Sequence, residues 1–484
     1  MIVLSHLSSL ARRASRAGGQ WPPAWARRLL RSLPLTFLHG ALLVAAWHLK
    51  HPLLYRLRPI ETPLLVGLAF GLALWAARRW WRTGQAGAAL HLGSALLVLG
   101  LAGGQEAWFQ CQKHQVLAGS PALRRLGSHF VVGFRDFAEV RPLAERGLIG
   151  GIYLSRANIR QRSAADIRRE IDALQALRAA AGLPPLFVAA DQEGGSVSHL
   201  SPLVAPQPPL ASLVRSGSPA TLPERARQYG QRQGQALAGL GVNLNLSPVV
   251  DLRPAGRVGW KDRHTLLERR AIAADPEPVT TVATGYSRGL AEAGVQPTVK
   301  HFPGLARVRG DTHLVRAALN GQPADLARDW QPFRAVTSDT GAAMMLAHVV
   351  LPAVDKTYPA STSRAVAHGL LRQQWGYGGL LITDDLNMGA VYADGIGPAA
   401  TRALDAGVDL LLVTYDPDQY YRALYAAAQG WRRGAINAER ETDSARRLAD
   451  HWRHWPAAPG QPGDWKRRCP GAHCAPSTAD HPVP

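Results

Sequence analysis

The chain has 484 residues, 46% of them hydrophobic, and a formal net charge of +20. That length leaves core burial unrestricted, with room for one large domain or two ordinary ones. The charge is concentrated: residues 1–104 hold twelve Lys and Arg against one acid, Glu61, a net of +11, while the other 43 basic and 34 acidic residues give +9. Beyond residue 104 the arginines are interleaved with acids, as on solvated helix faces, so no nucleic-acid partner is expected.

Three apolar runs follow a basic stretch read as a cytoplasmic N-terminus (1–34): "LTFLHGALLVAAWHL" (35–49), "TPLLVGLAFGLALWAA" (62–77) and "AGAALHLGSALLVLGLAG" (86–103). Each lacks Asp, Glu, Lys and Arg, and each is 15 to 18 residues long, near the length that spans a bilayer. Trp47, Tyr55, Trp75, Trp80 and Trp81 lie at their ends, where amphipathic rings favour the membrane interface. The reading is three transmembrane helices within 35–104, with membrane lipid as partner; buried helices of a soluble protein are the alternative. A cleaved signal peptide fits poorly, because a long polar stretch precedes the first run and two further runs follow. Six Arg precede the first run and "RRWWR" (78–82) adds three, against Lys50, Arg56 and Arg58 in the 50–60 loop. The bias predicts a multi-pass protein of the inner (cytoplasmic) membrane, with everything after residue 104 on the periplasmic side.

A linker is expected over 105–127, then eight short apolar runs: 130–134, 150–154, 185–191, 242–251, 296–302, 342–348, 379–385 and 408–414. Their hydrophobicity is continuous rather than alternating, as in strands of a parallel sheet covered on both faces. Helix-like segments separate them, such as 163–182, which opens on a Ser163 cap and closes on Gly182. The fold class predicted is α/β, a single (β/α)8 TIM-type barrel over 128–455 preceded by an N-terminal membrane-spanning helical region; an open doubly wound sheet is the competitor. A Pro- and Gly-rich tail (456–484) ends the chain, and its Cys469 and Cys474 could pair in an oxidising space or stay free. No metal-ligand spacing and no cofactor motif is present in the reading.

A barrel predicts chemistry at the C-terminal ends of its strands. The third run ends in Asp191, the fourth in Asp251, the fifth in Lys300 and His301, the sixth in His348 and the seventh in Asp384 and Asp385. "DQEGG" (191–195), "NLNLSPVVD" (243–251), "ADP" (274–276), "KHFPG" (300–304), "DTH" (311–313), "AHVVLPAVD" (347–355) and "ITDDLNMGAV" (382–391) occur in one order and spacing that resembles glycoside hydrolase family 3, in its single-domain β-N-acetylglucosaminidase branch.

The resemblance implies a retaining β-N-acetylhexosaminidase that removes terminal β-linked N-acetylglucosamine from peptidoglycan fragments, muropeptides or related amino-sugar glycans. It implies Asp384 as nucleophile, with Asp385 supporting it, and His313 oriented by Asp311 as acid/base on the long loop after strand five. It further implies Asp191, Lys300, His301 and Arg270 as sugar-binding residues, and His199 where a second Arg would grip substrate. A salt bridge inside the mouth is the alternative for Lys300. The chain departs from the family pattern at Leu305 and Ala306, where His-Gly is common, and at Ser196 and His199, where Arg is usual. These departures bear on which glycan is taken. β-Glucosidase or glycoside phosphorylase chemistry on the same scaffold, and a tethered glycan-binding protein without turnover, remain as alternatives.

Overall fold

The computed structural model describes residues 24–255, 265–308, 310, 311, 316–392 and 394–454, with side chains from residue 33 onward except at Leu53. His313, Cys469, Cys474, the 456–484 tail and most of the basic N-terminus therefore lie outside the described residues. The chain divides into two compact units, Met1–Cys111 and Gln112–Pro484.

Among the described residues the first unit carries the α-helices α1 (Ala24–Trp47), α2 (Arg58–Thr83) and most of α3 (Ala86–Ala118), whose last turns belong to the second unit. Two helical stretches, Leu54–Thr83 and Ala86–Ala118, are long and apolar enough to cross a membrane, and Leu33–Trp47 is a shorter apolar helix. The sequence reading counted three spans. Among the described residues only two meet the criterion of length, because Arg27, Arg28 and Arg31 in the first turns of α1 leave it a short apolar part. Phe37, Val44, Trp47, Phe70, Trp81 and Leu90 are exposed within this unit. Small side chains sit where its helices pack: Ala46, Ala69 and Ala102 are fully buried with Val98. The stretch read as a linker is helical in its first part, since α3 continues to Ala118.

In the second unit eight strands pair in parallel: β1 (Phe130–Val132), β2 (Gly151–Leu154), β3 (Phe187–Ala190), β4 (Leu244–Asn245), β5 (Gln296–Phe302), β6 (Ala343–Leu346), β7 (Leu381–Thr383) and β8 (Leu411–Val413). Their order runs from β7 down through β1 to β8, and a parallel bridge between Ile382 and Leu410 brings the two edges together. The result is the (β/α)8 barrel rather than the open sheet. Every strand falls inside one of the eight apolar runs.

Alternate residues fill the barrel interior: Val131, Tyr153, Phe187, Ala189, Leu244, Leu246, Ala343, Met345, Ile382 and Leu412 form one buried cluster. Period-two alternation then fixes what lies above them. Asp191 continues the inward line of Phe187 and Ala189, and Asp384 that of Leu380 and Ile382, so both carboxylates face the mouth. At the opposite end the helix Ala438–His454 buries Glu441, Ser444, Leu448 and His451, spaced three and four apart on one face. Leu448 joins the interior cluster and the Trp452 ring lies 4.5 Å from Phe187, so this helix closes the bottom of the barrel. The predicted helix after β2 spans Ala164–Ala180, with Ser163 and Asp166 forming a capping box.

Candidate active site

The turn after β3 supplies two carboxylates. Asp191 ends the strand, and Gly194 and Gly195, at φ of +94° and +61°, reverse the chain into a short hairpin that turns Glu193 back over the mouth. Lys300, at the end of β5, is only 3% exposed and puts its Nζ 2.6 Å from Asp191 Oδ1 and 2.7 Å from Glu193 Oε1. Arg270 completes the group with a two-pronged contact to Glu193, Nη2–Oε1 at 2.6 Å and Nε–Oε2 at 2.9 Å. Burial alone would raise the Glu193 carboxyl, but the Arg270 and Lys300 charges outweigh it and hold it well below the usual range. Burial likewise disfavours the Lys300 ammonium, and Asp191 and Glu193 overcome it, so Lys300 stays charged.

Tyr153, from β2, donates its hydroxyl to Asp191 Oδ2 at 2.9 Å, and His199 Nδ1 lies 2.8 Å from the same phenolic oxygen. With the phenol proton directed at Asp191, His199 is the donor to the phenol oxygen. Burial first, then the Asp191 charge, push the Tyr153 hydroxyl well above its ordinary pKa and keep it a donor. On the other side His301 sets Nδ1 2.6 Å from Asp251 Oδ2, and Arg270 Nη2 reaches His301 Nε2 at 3.4 Å. A continuous polar line thus crosses the mouth through His199, Tyr153, Asp191, Lys300, Glu193, Arg270, His301 and Asp251.

Asp384 stands across from this line at the end of β7. Its amide donates to Leu346 O at 2.9 Å, its Oδ1 accepts the Asp385 amide at 2.9 Å, and its side chain is half-buried. Asp385 points the other way and is buried. It accepts from Asn387 N at 2.8 Å, Thr414 N at 3.0 Å, Tyr415 N at 3.1 Å and the Thr414 hydroxyl. Burial pushes its carboxyl up to about 6 against these donors, with the Asp384 charge adding to the rise. His348, fully buried, bonds Ser361 Oγ at 2.6 Å and Asp385 O at 2.8 Å, which fixes the backbone beneath Asp384.

Of the residues selected from sequence, Asp191, Lys300, His301, Arg270 and His199 meet in one network, and Asp384 lies at the same mouth. Lys300 and Arg270 are ion-paired within the mouth. Asp311 is buried, and its companion His313 falls outside the described residues. Sequence reading gave no role to Glu193, Asp251 or Tyr153, although the first two stand inside quoted motifs. The available signal was charge balance, since Lys300 and Arg270 could not both be buried beside Asp191 alone. Among the described residues no group of three or more His, Cys, Asp or Glu could hold a metal ion. A cavity of about 250 Å³ between the helices after β1 and β8 is lined by none of the residues above.

An α/β barrel with half-exposed carboxylates and paired cations converging at its C-terminal mouth belongs to the class of barrel enzymes that act on polar substrates. More narrowly, residues 124–450 match the glycosyl hydrolase family 3 N-terminal domain, and the chain belongs to that family. Similar proteins include the Beta-hexosaminidase LpqI of Mycobacterium tuberculosis, 32% identical over 308 residues that span 61% of this chain and 74% of that protein. The Beta-hexosaminidase of Thiobacillus denitrificans is 35% identical over 275 residues, 56% of this chain and 73% of that one. Among solved structures, a family 3 β-N-acetylglucosaminidase from Paenibacillus sp. aligns with a TM-score of 0.61 and 31% identity, covering 68% of this chain and 61% of that one. The β-N-acetylhexosaminidase of Beutenbergia cavernae aligns with a TM-score of 0.62 and 28% identity, over 69% of this chain and 98% of that one.

Proposed function

We propose that this protein is a retaining β-N-acetylhexosaminidase that removes terminal β-linked N-acetylglucosamine from peptidoglycan fragments or related amino-sugar glycans. The observation that carries the reading is the split between two adjacent carboxylates: Asp384 faces the mouth, and Asp385 is turned away and saturated with donors. In this reading Asp384 attacks the anomeric carbon, forming a glycosyl ester as the glycosidic bond breaks, while His313 gives a proton to the leaving oxygen. His313 then takes a proton from water, which attacks the ester and frees Asp384. Asp311 orients the imidazole. Asp191, Lys300, Arg270, His301 and His199 form the wall on which sugar hydroxyls are held.

The test is release of p-nitrophenol from its β-N-acetylglucosaminide by the full-length protein in detergent. The reading predicts turnover there, free sugar as product even in phosphate buffer, and little turnover of the β-glucoside. Sugar phosphate as product, or preference for the glucoside, would overturn it.

The N-terminal helices serve in this proposal as a membrane anchor, with the barrel over 128–455 as the catalytic domain. Exposed apolar side chains on the first unit support an anchor. With three crossings, the six Arg before the first run together with Arg78, Arg79 and Arg82 in the last turns of α2 outnumber Lys50, Arg56 and Arg58 by nine to three, and the positive-inside bias sends residues beyond α3 to the periplasmic face; with the two long helices alone crossing, the same count would keep them cytoplasmic. Protease digestion of intact spheroplasts tests the periplasmic placement: the barrel is cut from outside if it is right and protected if it is wrong.

A further inference from the structure

Asp251 is 1% exposed, and its side chain hydrogen-bonds the end of β5 and the segment just after it. Oδ2 accepts both His301 Nδ1, at 2.6 Å, and the His301 amide, at 3.0 Å. Oδ1 accepts the Leu305 amide at 2.8 Å. One carboxylate therefore holds the side chain of a sugar-wall residue and the base of the loop that leads to Asp311. Its own backbone is fixed from the same strand, since Val250 N donates to Lys300 O at 2.9 Å.

A carboxylate only accepts hydrogen bonds, so His301 carries its proton on Nδ1. Arg270, which only donates and is positively charged, approaches Nε2 at 3.4 Å and so disfavours a proton there. The Asp251 carboxylate on one side and the Arg270 guanidinium on the other favour one tautomer of the ring, with Nδ1–H toward Asp251 and the Nε2 lone pair toward Arg270 and the mouth. The Arg270 contact is long for a hydrogen bond. His301 accordingly meets a substrate hydroxyl as an acceptor, whereas Lys300 beside it meets one as a donor.

We propose that Asp251 is a positioning residue for the glycosidase site, fixing the His301 tautomer and tying that ring to the base of the β5 loop at Leu305. The assignment rests on the hydrolase reading given above for its kinetic consequence, though not for its structural one. In Asp251→Asn one carboxylate oxygen becomes an NH2, so either His301 or Leu305 loses its acceptor and faces a donor.

The test uses the full-length protein in detergent and the β-N-acetylglucosaminide. Asp251→Asn should lower kcat/KM by about 10- to 100-fold, the scale of one lost charge-assisted hydrogen bond. In a His301→Ala background the same substitution should cost less than about 3-fold, because the two residues act as one unit. Deuterium uptake at the peptide carrying residues 301–305 should quicken in Asp251→Asn relative to wild type. Equal kinetic cost in both backgrounds, or unchanged uptake at 301–305, overturns the proposal. If Asp251→Asn does not fold, His301→Asn serves. It keeps an N–H toward Asp251 but has no acceptor at the Nε2 position, so it should lose as much as His301→Ala; recovery of activity would overturn the acceptor assignment. A wild type with no turnover would sink the hydrolase reading, and the uptake comparison would still decide the clamp.

Discussion

At the mouth of the barrel Asp191 and Glu193 clasp Lys300 and Arg270, and at the opposite face Asp409 clasps Arg372 and Arg447. The two clusters use the same chemistry. Asp409 takes Arg372 Nη2 at 2.5 Å, Arg447 Nε at 2.8 Å, Ser444 Oγ at 2.6 Å and Leu381 N at 2.7 Å, as fully satisfied as Glu193 is. Burial would raise its carboxyl, and Arg447 and Arg372 hold it low, again as at Glu193. What differs is the cover. Helix Ala438–His454 closes the lower cluster, and in the upper one Asp191 and Asp384 keep part of their surface open. Ion pairing by itself therefore does not distinguish the two faces; exposure at the strand ends does.

Substitutions on the two faces should separate accordingly. Asp384→Ala should lose at least about 10³-fold in kcat with an unchanged melting temperature, as expected for a missing nucleophile; steady-state assay beside thermal denaturation checks it. Asp409→Ala leaves Arg372 and Arg447 uncompensated and should cost about 3–5 kcal/mol of stability. The folded fraction should keep wild-type specific activity, and loss of activity without loss of stability would erase the contrast. Asp191→Asn weakens the link between Lys300 and Tyr153 and should reduce kcat/KM by about 10- to 100-fold, mostly through KM.

Asp385 gives a pH signature. Its carboxyl titrates near 6 when folded and near 4 when unfolded, so the folded state holds the extra proton between those values. Its contribution is complete below about pH 4 and is lost as pH rises through about 6, on the order of 2 kcal/mol across that window. Denaturation from pH 4 to 7 should show this slope in wild type and not in Asp385→Asn. The smallest effect concerns neither face: Ser163→Ala removes a helix cap and should cost about 1 kcal/mol with no change in activity.

Much of the barrel could be read from sequence because both sheet faces are covered, which makes the strands continuous apolar runs. The fourth run was read as ten residues, and the ladder strand is only Leu244–Asn245. Pro248 has no N–H for a ladder, and the Asn243 and Asn245 side chains bond Val188 N and Gln192 N instead. The small loop strands at Gln192–Gly194, Ala317–Ala318 and Val349–Leu351 had no apolar run long enough to mark them. In the site, strand-end residues stood out because a titratable group after an apolar run is visible locally. Glu193 and Asp251 stayed without a role because their partners lie 77 and 50 residues away, a distance only the closed barrel removes.

The central claim is that Asp384 forms the covalent bond to the sugar. The most direct test incubates the full-length protein with a mechanism-based fluorosugar of the N-acetylglucosaminyl series, then maps the labelled peptide by mass spectrometry. The account predicts one glycosyl unit on Asp384 and none in Asp384→Ala. Label on Asp385 or another carboxylate, or steady turnover with no trapped ester, would contradict it.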